Sequence, residues 1–434
     1  MMISGENVMN RKLLATAIAA ALMAPVAATA DVQITGTVNV SWDYISPDDT
    51  LNNPFFGPLP LDNTNYIADG NSNIVFKGSE DLGNGLKAIW QITTFVDFDD
   101  GGDTWANGNT FVGLASDYGT LLLGRHDTPY KMSTGRLDLF ANTFADYNNI
   151  MGRSWPAVRF VGGNPALFFD GIADSNGVTY NNFDLRPDNV IAYVSPDFNG
   201  FSVVAAYVVD ENNNGVAFDI DPVSGFATNS TDADAWSIAA SYSNGPIFVT
   251  AAYEQHNNAW ALTDFEVPEG DPFVLSSADE DAWKIGGSYT FGNFQVGGMW
   301  ERISSDAQVV GFPGIEPVTH DNWMLNGSYA MGNFLLKLQY LNAGGFKGDR
   351  LLGSVLGSAN AESGADMWAV GVDYNFSKRT KIYALYALTA NDGSEATGMP
   401  LPGYGLGTGV NFNVTPTEPG GNVDGIGIGV QHKF

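Results

Sequence analysis

The chain has 434 residues with 48 acidic and 19 basic side chains, a net charge of -29 at pH 7, no cysteine and 51 glycines. That charge excludes a nucleic-acid partner, since phosphate-backbone binding runs on clustered basic groups. The missing cysteines exclude thiol nucleophiles, Cys-ligated metals and disulfides, and 44% apolar residues under-supply a thick conventional core.

The chain opens on an export signal. Arg11 and Lys12 form a basic region, Leu13 to Met23 an apolar core, and Ala28-Thr29-Ala30 a small-x-small site ahead of Asp31. The apolar stretch falls short of the ~20 residues that span a bilayer and ends near Pro25, so it reads as removable rather than as an anchor. Residues 1–30 are expected to be cleaved between Ala30 and Asp31, leaving 31–434 as one unit. Met9 is an alternative start, because residues 1–8 add nothing that export needs.

Beyond the signal no apolar run reaches helix-spanning length, and the pattern that emerges has period two. Val32, Ile34, Val38, Val40, Trp42 and Tyr44 share one face, while Gln33, Thr35, Thr37, Asn39, Ser41 and Asp43 share the other. The same alternation runs through Trp236 to Tyr242, Trp283 to Tyr289, Trp323 to Tyr329 and Trp368 to Tyr374. Each of these four segments sets a Trp and a Tyr six residues apart on its oily face, rings ~20 Å apart at ~3.3 Å per residue. A bilayer favours amphipathic rings at its two interfaces, and the apolar band of an outer membrane is ~25 Å tall. Tyr253, Trp300 and Tyr340 on neighbouring strands are candidates to complete the girdles.

Sixteen strands are expected, at 32–45, 71–79, 85–96, 109–116, 119–126, 188–195, 200–209, 234–243, 246–255, 281–291, 293–303, 321–330, 333–342, 366–376, 380–390 and 424–434. Tight Gly-, Asn-, Asp- and Ser-rich turns alternate with long polar connections near 46–70, 97–108, 127–187, 210–233, 256–280, 304–320, 343–365 and 391–423. Short turns at one end and long loops at the other describe an all-β, antiparallel transmembrane β-barrel of a bacterial outer membrane. An even strand number lets the first strand pair with the last and leaves no sheet edge.

The run Phe76-Lys77-Gly78-Ser79-Glu80-Asp81-Leu82-Gly83-Asn84-Gly85-Leu86-Lys87-Ala88 resembles a strand, turn and strand of the trimeric Gram-negative general porins, nearest the neisserial and betaproteobacterial type. Phe111-Val112-Gly113-Leu114 and Gly124-Arg125-His126-Asp127-Thr128-Pro129-Tyr130-Lys131 resemble its fourth and fifth strands. The ending Gly429-Val430-Gln431-His432-Lys433-Phe434 is similar to its last strand, whose terminal aromatic residue is offered to the outer-membrane assembly machinery. The resemblance implies a homotrimer in lipid and lipopolysaccharide that passes small hydrophilic solutes and ions through a water-filled channel. A sugar-selective channel or an adhesive, structural barrel is the alternative; the first would need an aromatic slide along its lumen, whereas most Trp and Tyr here read as lipid-facing.

In that family the third long loop folds inward and narrows the barrel. The corresponding loop here, about 127–187, is the longest, which independently fits an internal role. It gathers Arg125, Lys131, Arg136, Arg153 and Arg159 beside Asp127, Asp138 and Asp146, a basic cluster in an otherwise acidic chain. The resemblance places Arg125 and Lys77 on the barrel wall and Asp138 and Asp146 on the inward loop, so that facing charges would set a transverse field. At Asn73, where relatives often carry another arginine, the basic side is weakened. With a Debye length of ~8 Å, remote loop acids are screened and the constriction should decide selectivity: a weakly selective pore with an acidic vestibule and a locally basic eyelet. Lys and Arg at the outer rim compete with this role as lipopolysaccharide contacts.

Two further patterns carry chemistry. His126 beside Asp127 could be a base with its orienting acid, but no nucleophile elbow or paired-His metal spacing accompanies it, so an enzyme is not expected. Asp210, Asn212, Asn214, Gly215 and Asp221 reproduce positions 1, 3, 5, 6 and 12 of a calcium loop, although strands rather than helices flank them. A solvated acidic loop is the competing reading, and calcium could also bridge acidic loops to lipopolysaccharide phosphates.

Overall fold

The structure is a computed structural model. It describes residues 31–47, 63–98, 105–153, 183–209, 234–257, 279–306, 317–345, 347, 364–392, 404–407 and 421–434, together with the backbone of short hairpin strands at 50–53, 57–60, 157–161, 164–168, 218–220 and 227–229. The signal segment 1–30 lies outside the described residues.

The chain is a sixteen-stranded antiparallel transmembrane barrel. In chain order the strands are β1 (Asp31–Pro47), β2 (Thr64–Asp69 continued as Asn73–Gly83), β3 (Leu86–Phe95), β4 (Thr110–Ser116), β5 (Gly119–Arg125), β6 (Val190–Val194), β7 (Phe201–Val208), β8 (Asp234–Asn244), β9 (Ile247–Asn257), β10 (Glu280–Phe291), β11 (Phe294–Ser305), β12 (Val318–Met331), β13 (Phe334–Ala343), β14 (Ala365–Asn375), β15 (Thr380–Asn391) and β16 (Asn422–Lys433). Every strand pairs with its sequence neighbour, and β16 returns to β1 with Trp42 opposite Ile428 and Thr37 opposite Lys433. Beyond β16, Phe434 exchanges two 3.1 Å backbone hydrogen bonds with Gly36 and closes the seam. Closure satisfies the backbone groups that an open edge would leave bare in lipid.

Alternation fixes the two faces of the wall. Trp283, Ile285 and Tyr289 of β10 are exposed, while Glu280, Ala282 and Lys284, on the alternate positions, are buried. Leu336 and Leu338 of β13 are exposed, and Lys337, Gln339 and Leu341 are buried. The exposed face is the lipid face, apolar without an aqueous reason to be. Tyr253 lies 4.9 Å from Trp236 and 4.4 Å from Trp283, ring to ring; Tyr340 lies 5.1 Å from Trp323 and 4.4 Å from Trp368; Trp300 stands opposite Trp323. The candidates from neighbouring strands therefore complete one girdle, and Phe291, Phe294, Tyr329, Phe334 and Tyr374 build the other. The main departure from the expected strands is β2. It begins at Thr64 inside the expected 46–70 loop and breaks at Gly70-Asn71-Ser72, with Asn71 at φ 56°.

The largest buried apolar cluster joins Leu137, Phe140, Phe144, Ile150 and Met151 to Met299 of β11, Met324 of β12, Leu341 of β13, Met367 of β14 and Leu385 of β15. All five wall residues belong to the face turned away from lipid.

Candidate functional site

The segment after β5 is tied down residue by residue. Thr128 caps a short helix, α1 (Pro129–Thr134), its hydroxyl accepting from the Lys131 N–H at 3.3 Å, with Pro129 opening the helix where no N–H is needed. On α1, the Tyr130 N–H donates to Ser237 Oγ of β8 and its hydroxyl donates to Glu301 Oε2 of β11 at 2.7 Å. Further along, Asn326 of β12 donates to the Leu137 carbonyl, and Gln339 of β13 both accepts from the Leu139 N–H and donates to Asp138. Asn39 of β1 donates to the carbonyls of Asn142 and Gly70. A side chain at Gly70 would collide with Asn39 and Asn142, so the break in β2 is what admits Asn142. Wall glycines give the same room elsewhere. A Cβ on Gly286 would meet Leu137 Cδ1 at 2.8 Å, one on Gly371 would meet Phe140 at 2.8 Å, and one on Gly427 would meet Phe144 at 2.7 Å.

Two clusters of charge hold this segment. Lys284 of β10, fully buried, donates to Asp184 Oδ1 at 2.7 Å, stands 3.6 Å from Glu301, and lies 4.0 Å from the Tyr130 ring. Burial alone would raise the Asp184 carboxyl, but the Lys284 charge and hydrogen bond outweigh it and hold the group below its ordinary range. Glu301 also accepts from Gly152 and Asn322, and Phe183 stacks on His256 at 4.4 Å. In the second cluster Asp138 accepts from the N–H groups of Phe140 and Tyr147, and Asp146 from those of Asn142 and Asn148. Burial, and next the Asp138 carboxylate, push Asp146 up to about 7.

On the other side of this segment lies a cavity of about 270 Å³. Asn73 and Val75 of β2, Gln91, Thr93 and Phe95 of β3, and Asn71 and Asn109 beside them form its wall; Asn142 and Arg186 face it from the segments after β5. Arg186 Nε is held by Asp127 Oδ1 at 2.9 Å and Asn109 Oδ1 at 3.1 Å, with its guanidinium carbon 5.0 Å from the Phe95 ring. Lys131 and Arg186, together with Asn109, offset the burial of Asp127 and keep its carboxyl at about 2.

Residues 15–394 match the family model described as Gram-negative porin. The chain belongs to the Gram-negative porin family. The porin is 32% identical over 215 residues to the major outer membrane protein P.IB of Neisseria gonorrhoeae, a match covering 49% of this chain and 52% of that protein. It is 26% identical over 252 residues to the P.IB of Neisseria meningitidis serogroup A, covering 58% and 61%. The matched stretch thus spans between half and two thirds of these relatives. Among solved structures, the anion-selective porin from Comamonas acidovorans superposes with a TM-score of 0.64 at 22% identity, over 93% of this chain and all of that one. OmpT of Vibrio cholerae superposes with a TM-score of 0.59 at 17% identity, over 95% and 99%. These likenesses carry the fold, and the family places the porin in the outer membrane of a Gram-negative bacterium. It is a family of channels rather than of enzymes.

The porin brings some of the expected charges together and parts others. Lys77 shares the face of Asn73 and Val75 and is exposed beyond the cavity. Arg125 ends β5 and is neutralised by Asp188 at 2.7 Å, its Nε donating to the Asn107 carbonyl. Lys131 pairs with Asp127 at 3.4 Å. Arg136 is exposed with its guanidinium 4.0 Å from the Phe248 ring. Arg153 lies 5.6 Å from the Tyr404 ring, and burial brings it down to about 10. The Arg159 side chain lies outside the described residues, as do Asp210, Asn212, Asn214, Gly215 and Asp221; no metal-holding cluster occurs among the described residues. Asp138 and Asp146 are buried close to one another, their oxygens taken by backbone N–H groups of their own segment and, for Asp138, by Gln339 of β13 as well. His126 contacts the Asp127 backbone carbonyl at 2.8 Å, not its carboxylate, so the base-and-acid geometry is absent. Sequence reading missed Arg186 and the carboxamides. The pointer to Arg186 was its place just ahead of β6, facing Asp127 at the opposite end of the same loop.

Proposed function

We propose that this porin is a water-filled channel for passive diffusion of small hydrophilic solutes and ions, narrowed by its third loop, whose described parts, residues 126–153 and 183–189, fold into the barrel. One observation carries the reading: the loop is bonded to β1, β8, β11, β12 and β13 through side chains that point away from lipid. Wall glycines that seat Leu137, Phe140 and Phe144 support the same docking. Among the described residues of the loop and the facing wall, Lys77 and Arg136 and the pair Lys131 and Arg186, which share the single carboxylate of Asp127, are the basic groups left for the passage, with Arg125 paired one to one with Asp188. Because Asp138 and Asp146 are buried in their own turn, the transverse field is weaker than the sequence suggests, and a mild preference for anions follows. The Comamonas relative carries anion selectivity in its name, in line with that direction.

The same reading has residues 1–30 removed, Phe434 recognised during assembly, lipopolysaccharide held by the outer loops, and three copies joined through the aliphatic arc described below. Calcium at Asp210, Asn212, Asn214 and Asp221 belongs to this proposal too, and a chelator-sensitive melting temperature is its signature.

Refolded protein in a planar bilayer should give ohmic steps, with reversal potentials in a KCl gradient favouring chloride and moving toward neutrality in Arg186→Gln with Lys77→Gln. A strong cation preference unchanged by those substitutions refutes the basic constriction, and a barrel that never conducts points to the structural reading instead.

A further inference from the structure

The cavity against β2 and β3 has a sidedness that the diffusion reading does not use. Its loop side presents donors: Arg186 spends Nε on Asp127 and Asn109, its terminal nitrogens having no hydrogen-bond partner among the described residues, and Asn142 accepts from Asn71 through Oδ1, its Nδ2 having none among them either. Its wall side presents acceptors. Asn73 donates to the Asn71 carbonyl and Gln91 donates to Thr93 and the Asn109 carbonyl, so Asn73 Oδ1 and Gln91 Oε1 are unspent. No carboxylate stands among its described lining residues.

Three classes of solute meet this lining differently. A hydroxy-carboxylate such as lactate satisfies Arg186 but returns to the amide oxygens one neutral hydroxyl, a weaker donor than an ammonium and one too few for both oxygens. A polyol satisfies the amides but offers only neutral acceptors to the terminal nitrogens of Arg186, whose Nε alone faces Asp127. A zwitterion satisfies both sides at once, its carboxylate on Arg186 and Asn142 and its ammonium on the oxygens of Asn73 and Gln91. The Phe95 ring and Val75 flank the space between and suit a short aliphatic stem. A volume of about 270 Å³ has room for a single amino acid.

We infer that this cavity is a binding station for small zwitterions of the α-amino acid class, lying on the permeation path. The inference rests on the open-channel reading. Conductance in KCl is measured while L-serine, L-lactate or glycerol is added at equal concentration to both sides of the bilayer. Serine should lower the current saturably beyond the viscosity effect seen with glycerol, and lactate should do so more weakly. Arg186→Gln should raise the half-effect concentration of serine roughly tenfold or more, by loss of a charge-assisted hydrogen bond, with Arg186→Lys restoring part of it. The pair Asn73→Leu with Gln91→Leu should weaken serine strongly and lactate far less, and it decides the matter if Arg186→Gln does not assemble. Serine behaving as glycerol, lactate matching serine, or a serine effect that survives the Asn73 and Gln91 changes each overturns the inference while KCl conduction upholds the channel. A barrel that conducts no KCl overturns the channel reading, and the inference with it.

Discussion

The wall from β8 to β15 and the wall from β16 round to β6 differ on both faces. Outside, the first carries the girdles, with Trp236, Tyr253, Trp283, Trp323, Tyr340 and Trp368 in a nearly continuous band of rings. The second presents mainly aliphatic chains: Ile426, Ile428, Val430, Ile34, Val112, Leu114, Leu121, Leu123 and Ile191 are all exposed. On the opposite face, the first wall packs against the 130–152 segment through apolar contacts and buried ions, while β2 and β3 leave the amide-lined cavity open. Rings at interfaces suit lipid, whereas a stretch with fewer of them, here Trp42, Trp105, Tyr118 and Tyr193, leaves more aliphatic surface for another protein. The difference thus separates an arc that carries rings and braces a loop from an arc that, on the proposed assembly, would meet a second copy and leave the cavity open.

The braced arc should be the easier to break. Lys284→Met leaves Asp184 and Glu301 buried beside each other without their cation, at a cost of about 3–5 kcal/mol. Its thermal unfolding should fall accordingly, and the 126–153 segment should become protease-sensitive. Lys337→Met should do far less, because Asp373 keeps Lys381 at 2.9 Å; equal losses would show that the loop does not depend on the Lys284 cluster. Next in size comes the outer face. Ile428→Arg and Ile285→Arg each put a charge where apolar atoms are exposed, worth about 2–4 kcal/mol if that surface lies at mid-bilayer. Only Ile428→Arg should also convert the oligomer to monomers on a native gel; dissociation by both variants, or by neither, removes the assignment of the arcs. A smaller effect is expected at Gly427→Val, where the new Cβ would lie 2.7 Å from Phe144 and 2.5 Å from Asp43, an overpacking of about 1–3 kcal/mol. Raised current noise from an unseated loop is the readout.

Much of this was legible in the sequence, and what was not has a physical reason. Strand alternation is local, so β8 to β16 fall within a few residues of their expected places, and the rings of Tyr253 and Tyr340 sit where neighbouring strands were expected to supply them. The break in β2 was not legible, because Gly70-Asn71-Ser72 departs from the ladder only to receive Asn142, a partner 71 residues beyond Asn71. The loop acids illustrate the same limit. Asp138 and Asp146 carry formal charge in the sequence, yet only the fold shows that Gln339, 201 residues away from Asp138, and the loop's own N–H groups consume them. Glycine was counted as a deficit of core, whereas Gly286, Gly371 and Gly427 are the recesses in which that core is seated.

Those consumed acids give the smallest effect and the one that reports on the loop alone. Asp146 titrates at about 7 in the folded porin and near 3.9 in an unfolded chain, because burial, then Asp138, disfavours its charge. A folded pKa raised in this way adds stability that is complete below about 4 and is lost as pH rises through about 7. Asp138 is shifted in the same direction by its burial and adds to the trend. Asp127 works oppositely: held at about 2, it contributes above about 4 and fails only as the pH drops through 2, so it is constant across the window. Hydrogen exchange of the Phe140, Asn142, Tyr147 and Asn148 amides, corrected for intrinsic rate, should therefore show more protection at pH 5 than at pH 8. Asp146→Asn should remove most of that slope but at a lower level of protection, since Asn142 and Asn148 donate to separate oxygens of Asp146 and an asparagine keeps only one of them as an acceptor. Amides of β3 at the open cavity, with no carboxylate among its described lining, should show no such slope; a parallel slope there would mean that the whole barrel, and not the braced loop, responds to pH.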